Sequence, residues 1–183
     1  MSMMNTEFWD LFDENRVPVG KTHPRGEKIP NGLYHLVIHA WVMDREGNFL
    51  MSRRQEGRSY ALLWERTGGS VLAGETSIQG AIREVKEELG LNLQEHQAVF
   101  LKSVKREHYH DFFDSWLFIV DRNSIVCNID QLEVCECRWV SLEELVQFSK
   151  RGELVKSSLY FEEVYERYID ITKQIEKRGV IYD

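Results

Sequence analysis

The chain has 183 residues, 43% of them hydrophobic and 29% charged, which suits one domain with a full core and excludes a disordered or fibrous chain. Thirty Asp and Glu against 23 Lys and Arg give a formal net charge of −7, so nucleic-acid backbone, whose binding rests on Lys and Arg, is not expected as a partner. No apolar run reaches membrane-spanning length, and the start MSMMNTEFWD lacks the basic and apolar regions of a signal peptide, so a cytoplasmic protein without membrane association is expected.

Residues 8–12 and 17–19 flank the turn-forming Asp13-Glu14-Asn15 and predict a hairpin within an N-terminal extension over about 7–30, whose second part reads as a polar stretch with Pro24 and Pro30. Residues 34–43 predict a long strand, followed by a turn through Arg45, Glu46, Gly47 and Asn48 and a return strand over 49–53. His35, Val37, His39 and Trp41 share one face of the long strand, where histidines satisfied within a sheet are favoured over ligands. Gly68, Gly69, Gly74 and Glu75 read as a loop with little side-chain bulk, open to close approach by a ligand or metal.

Thr76 followed by Gln79 reads as a capping box that opens a helix over about 77–89, and Gly90 sits where it ends. Ile78, Ala81, Ile82, Val85 and Leu89 recur at three- and four-residue steps and form its apolar face. Glu84, Glu87 and Glu88 stand at i, i+3 and i+4 on the other side, a crowding of like charges that is unfavourable without cations. Residues 98–104, 116–120 and 134–140 predict further strands, with a loop carrying His108, Tyr109, His110, Phe112 and Phe113. Ser141 with Glu144 is a second capping box, for a helix to about Phe148, and a last helix over about 159–177 turns Phe161, Val164, Tyr165, Tyr168, Ile169 and Ile175 to the core or a partner. Cys127, Cys135 and Cys137 are odd in number, with the last two on one strand face. That favours reduced thiols, and too few soft ligands stand nearby for zinc. No linker or repeat divides the chain, so a single domain over 1–183 is expected.

The chemistry concentrates in 69–91. Gly69, Glu75, Arg83, Glu84, Glu87, Glu88 and Gly90 fall at the spacing G-x5-E-x7-R-E-U-x-E-E-x-G-U, with Val85 and Leu91 at the apolar U positions. By average residue usage such a match arises by accident roughly once in ten million chains of this length. Carboxylates at this density suit Mg2+, with Mn2+ as a substitute, and a diphosphate substrate would supply further oxygens.

That spacing is the complete Nudix box, and the chain resembles the Nudix hydrolases over roughly residues 7–145. The resemblance implies an α/β fold, an α/β/α sandwich with a mixed central sheet and one catalytic helix. It implies Glu84, Glu87 and Glu88 as metal ligands helped by a carbonyl of Gly68 or Gly69, Glu84 as first candidate for the general base, and Arg83 and Glu75 as groups that position the glutamates. Asp111, Asp114, Glu133 and Glu136 are alternative sources of the base outside the box. Segments 8–10, 13–15, 32–35 and 52–54, with Trp41, are similar to hydrolases related to the type I isopentenyl diphosphate isomerases, in which two cations spaced like Arg54 and Arg58 grip the diphosphate. Those isomerases carry an essential cysteine and then a histidine in the segment that here reads Trp64-Glu65-Arg66-Thr67-Gly68-Gly69-Ser70-Val71, which has neither. The expectation is therefore a Mg2+-dependent hydrolase, monomer or homodimer, of a diphosphate linkage in a nucleoside-diphosphate-type small molecule. The alternatives are an isomerase-like enzyme or a non-catalytic metabolite-binding module.

Overall fold

The computed structural model describes residues 6–178. Strands β1 (Phe8–Phe12) and β2 (Pro18–Pro24) form the expected hairpin as a separate antiparallel sheet. β2 runs past the expected end because Thr22, His23 and Pro24 find partners in Asp10, Trp9 and Phe8, so strand pairing overrides a polar, proline-marked sequence. The hairpin is fastened to the rest of the chain at several points, among them the Phe8 carbonyl and Asp10 Oδ2, which accept from the Ala73 and Gly74 amides at 2.8 and 2.7 Å. Phe12 and Tyr34 exchange both backbone hydrogen bonds, at 2.8 and 2.9 Å, and Arg16 donates to the two oxygens of the buried Asp114 at 2.7 and 2.5 Å.

A seven-stranded sheet is organised around β3 (His35–Asp44). One edge of β3 pairs in parallel along its whole length with β8 (Asp111–Val120), which pairs antiparallel with β7 (Ala98–Arg106). The other edge pairs with β6 (Thr67–Ser70) and, only at Met43 and Phe49, with β4 (Phe49–Arg54). β4 then departs from the expected simple hairpin and pairs with β5 (Trp64–Glu65) and β9 (Val134–Val140).

Nearly every residue of β3 is buried, as a strand covered on both faces requires. Leu36, Ile38, Ala40 and Val42 enter one core with Ala81, Val85 and Leu89 of helix α1 (Ser77–Leu89). Trp41 and Met43 enter a second core with Leu145 and Phe148 of α2 (Leu142–Arg151) and Phe161, Val164 and Tyr168 of α3 (Phe161–Arg178). The two-residue alternation of β3 thus requires helices on both faces, which is the α/β/α sandwich with a mixed sheet. Each such Leu or Val, fully buried, contributes about 1.5–3 kcal/mol. No helix among the described residues is long and apolar enough to cross a membrane.

Three local expectations change. Gly68 and Gly69 are not in a loop: they pair with His39 and Ile38, because β3 offers an edge whose hydrogen bonds outweigh the poor strand preference of glycine. Phe112 and Phe113 belong to β8, since its parallel partner begins at His35. The pairing of β4 with β9 shifts between Arg53 and Arg54, so Cys135 is exposed while Cys137 is half-buried, its Sγ 3.2 Å from that of Cys127. All three cysteines are free thiols.

The two histidines of β3 differ. His39 Nδ1 meets the Tyr160 hydroxyl at 2.9 Å, whereas His35 stacks on Trp9 with 4.1 Å between ring centroids and its buried Nδ1 has no hydrogen-bond partner. Burial pushes the His35 pKa down from 6.5 to about 4, against the opposing pull of Asp111. Folded His35 therefore stays neutral down to about pH 4 while the unfolded ring takes its proton near 6.5, and acid favours unfolding between those values. This residue should remove roughly 3 kcal/mol of stability as pH falls through that window. Urea unfolding at pH 7 and pH 4 tests this: the stability lost between them should be smaller in His35→Phe by about that amount, and an equal loss in both proteins would contradict it.

Candidate active site

Helix α1 carries the carboxylates because its two ends are fixed by its own sequence. Thr76 Oγ1 accepts from the Gln79 amide at 3.4 Å and Gln79 Oε1 accepts from the Thr76 amide at 2.9 Å, the reciprocal cap expected. Gly90 ends the helix at φ 72°, donating to the Lys86 carbonyl at 2.9 Å. A Cβ at Gly90 would stand 2.7 Å from the Asn128 carbonyl, so glycine also admits the segment that follows β8. The amides of Asn128 and Asp130 there bond to the carbonyls of Leu89 and Glu88 at 2.9 Å each, which brings Asp130 and Glu133 beside the helix.

Arg83 organises the acidic groups. Its Nε donates to Glu75 Oε1 at 2.8 Å, Nη1 to Glu84 Oε1 at 2.9 Å and Glu87 Oε2 at 3.0 Å, and Nη2 to the Ser70 carbonyl at 2.9 Å. Burial works against the charged guanidinium, but the hydrogen bonds of Glu75 and Glu84 prevail and raise its pKa. Glu75 is held in turn by the Leu72 amide at 2.9 Å.

The three box glutamates differ in surroundings. Glu87 is exposed and Glu84 half-buried, while Glu88 is 8% exposed and its Oε2 has no hydrogen-bond partner. Glu88 thus departs from the expected polar outer face: it turns under the sheet edge, where burial and then Glu65, Glu84 and Glu133 push its pKa well above the carboxylate range. Burial also raises Glu84, against the pull of Arg83. Gly69 makes room for this group. A Cβ there would overlap the Glu84 carboxylate, so only a residue without a side chain leaves that carboxylate where it stands.

Glu84, Glu87, Glu88, Gly68, Gly69 and Ser70 line one cleft of about 250 Å3 together with Glu7, Arg25, Asp130 and Glu133. Carboxylates, an unpartnered buried carboxylate oxygen and a bare glycine backbone form a donor set that suits a hard divalent cation. Among the described residues no three His, Cys, Asp or Glu side chains stand close enough to hold a metal ion as they are. Arg83 draws one oxygen each of Glu84 and Glu87 to itself, Oε1 and Oε2 respectively.

The other candidates are spread more widely. Arg54 pairs with Glu65 and borders a second cleft, which meets the first at Gly68, Gly69 and Ser70. Arg58 pairs with Glu133. Of the alternative bases only Glu133 reaches the carboxylate cleft; Asp111 and Asp114 are buried in pairs with Arg106 and Arg16, and Glu136 lies by Arg53 and Arg138. Asp130 carries no local signal in the sequence, because only the docking of its segment on the end of α1 brings it near.

The NUDIX domain family model matches residues 33–161. An uncharacterised Nudix hydrolase of Listeria monocytogenes is 39% identical over 154 residues, covering 81% of this chain and 88% of that protein. Among solved structures, a Deinococcus radiodurans protein superposes with a TM-score of 0.67 at 22% identity, covering 88% of this chain and 98% of the other. The NUDIX domain of Shewanella oneidensis NrtR, complexed with ADP ribose, gives 0.60 at 17% identity, covering 80% and 93%. With the box intact on α1 and a family match over most of its length, the chain belongs to the Nudix hydrolase family.

Proposed function

We propose that this chain hydrolyses a diphosphate linkage in a nucleoside-diphosphate-type small molecule, with Mg2+ held by Glu84, Glu87 and Glu88 and a carbonyl of Gly68 or Gly69, and with Mn2+ able to replace it. The observation that carries this reading is the buried, unpartnered Glu88 oxygen beside Glu84, on the face that Gly69 leaves open. A bound divalent cation would neutralise phosphate oxygens and make water more acidic. Glu84, half-buried beside Glu87 and Glu88 in the same cleft, is the first candidate for the base that takes the proton from the attacking water. Arg83 and Glu75 position the glutamates. Arg54 borders space open to substrate, and to grip a phosphate it must loosen its pair with Glu65, as Arg58 must leave Glu133. ADP ribose on the Shewanella relative supports a nucleoside-diphosphate-type ligand.

Within the family we place the chain beside the hydrolases that resemble type I isopentenyl diphosphate isomerases. Isomerisation is disfavoured because Trp64 to Val71 contains no cysteine or histidine able to protonate a double bond. The test is product release from dinucleotides, nucleoside diphosphate sugars, nucleoside di- and triphosphates, CoA and prenyl diphosphates, with Mg2+ and with EDTA. Metal-dependent cleavage of a nucleoside-diphosphate-type member is expected; binding without turnover of any member would contradict hydrolysis. Gly69→Ala should reduce that turnover about tenfold or more by displacing Glu84, and an unchanged kcat would contradict the close packing of β6 on Glu84.

A further inference from the structure

The two glycines of β6 face opposite ways. Gly69 lies against the Glu84 carboxylate, while a Cβ on Gly68 would stand 2.8 Å from Nη1 of Arg66, so the strand carries an acidic group on one face and a guanidinium on the other. Arg66 occupies the single position between β5 and β6 and is only 4% exposed. Its Nη2 donates to Ser157 Oγ at 3.1 Å and its backbone amide to Ser158 Oγ at 3.4 Å, but its Nε has no partner and no carboxylate forms an ion pair with it among the described residues. A buried guanidinium normally has an anion, because removing the charge from water is costly without one.

Arg66 borders a cleft of about 290 Å3 that meets the carboxylate cleft at Gly68, Gly69 and Ser70. Arg54 and Arg106 line it too, but both are already matched, Arg54 by Glu65 and Arg106 by Asp111 through bonds of 2.7 and 2.6 Å. His39 in the same wall is kept neutral by burial. Among the described residues, Arg66 is therefore the cation of this cleft that lacks a paired carboxylate.

We propose that this cleft is a phosphate subsite in which Arg66 receives a phosphate group of the substrate, next to the diphosphate linkage held at the carboxylates. The identity of the ligand rests on the hydrolase reading, whereas the anion site rests on Arg66 alone. Guanidinium binds phosphate oxygens by a fork of parallel hydrogen bonds, and Nε together with Nη2 offers such an edge. Gly68 is required for the guanidinium to lie flat on the strand.

Inorganic phosphate, titrated in EDTA into 15N-labelled protein, tests the site without any metal or turnover. The Arg66 Nε–H resonance, assigned by its loss in Arg66→Lys, should shift with saturation; an unmoved resonance would overturn the proposal. In the metal-dependent assay, phosphate should compete with substrate, and Arg66→Met should raise KM about tenfold or more while weakening phosphate inhibition to match. Non-competitive inhibition, or equal phosphate affinity in Arg66→Met, would overturn the assignment to substrate. If no diphosphate is cleaved but the resonance still shifts, the hydrolase reading fails and the anion site stands.

Discussion

Glu88→Gln is expected to lower metal-dependent turnover by about a hundredfold or more while leaving the protein folded, and more stable than the wild type when metal is withheld. The first effect follows from loss of a ligand charge that cannot be replaced by an amide. The second follows from burial: Glu88 is 8% exposed, one of its oxygens has no partner, and its pKa is raised well above the carboxylate range. A raised folded pKa means that stability is complete in acid and declines as pH rises past the unfolded carboxylate range, where the unfolded chain ionises first. The uncharged amide escapes that decline. Thermal melts in EDTA should therefore place Glu88→Gln above the wild type at pH 8, by about 2–4 °C for each kcal/mol gained, with the difference shrinking toward pH 4. A lower melting temperature at pH 8 together with ordinary turnover would contradict both the burial argument and the ligand role.

Arg83→Ala is expected to have the opposite stability effect. Removing this guanidinium leaves Glu75, Glu84 and Glu87 facing one another without a cation and the Ser70 carbonyl without its donor. Breaking a partly buried pair of this kind destabilises by on the order of 2–4 kcal/mol, because the remaining charges lose their compensation. Arg83→Lys keeps the charge but not the planar fork, so it should recover part of the stability and little of the turnover. Urea unfolding and steady-state kinetics on the two variants check this. Mg2+ should stabilise Arg83→Ala more than the wild type, since bound cation compensates the same carboxylates. Equal stability of all three proteins in EDTA would show that the network around Arg83 contributes nothing to folding.

Much of this site is legible in the amino-acid sequence, for a physical reason. A helix with a capping box at Thr76, a left-handed stop at Gly90 and an apolar step through Ala81, Val85 and Leu89 is specified locally, so its limits, 77–89, follow from residues within it. The fold class follows from the family resemblance, and the alternation along β3, whose two cores require helices on both sides, agrees with it. The features that the sequence hides depend on contacts between distant segments. Gly68 and Gly69 read as loop because glycine has little strand preference, and only the edge of β3 makes them a strand. Glu88 reads as one of three crowded carboxylates because helix periodicity places it beside Glu87, and the burial that sets it apart from Glu87 arises only in the fold. Arg66 gives no signal, since an arginine between Trp64-Glu65 and Thr67 looks like any exposed cation until the distant segment with Ser157 and Ser158 packs against it. Asp130 is silent for the same reason, being placed by the cap of α1.

The central claim is that the acidic face of α1 under β6 is where the divalent metal sits. Anomalous scattering from crystals grown with Mn2+ and a non-hydrolysable diphosphate analogue tests it most directly. The expected result is an anomalous peak coordinated by Glu84, Glu87 and Glu88, with Arg83 withdrawn from at least one of the first two, and no such peak in Glu88→Gln. Full-occupancy Mn2+ elsewhere on the protein, with Glu84 and Glu87 still held by Arg83, would contradict it.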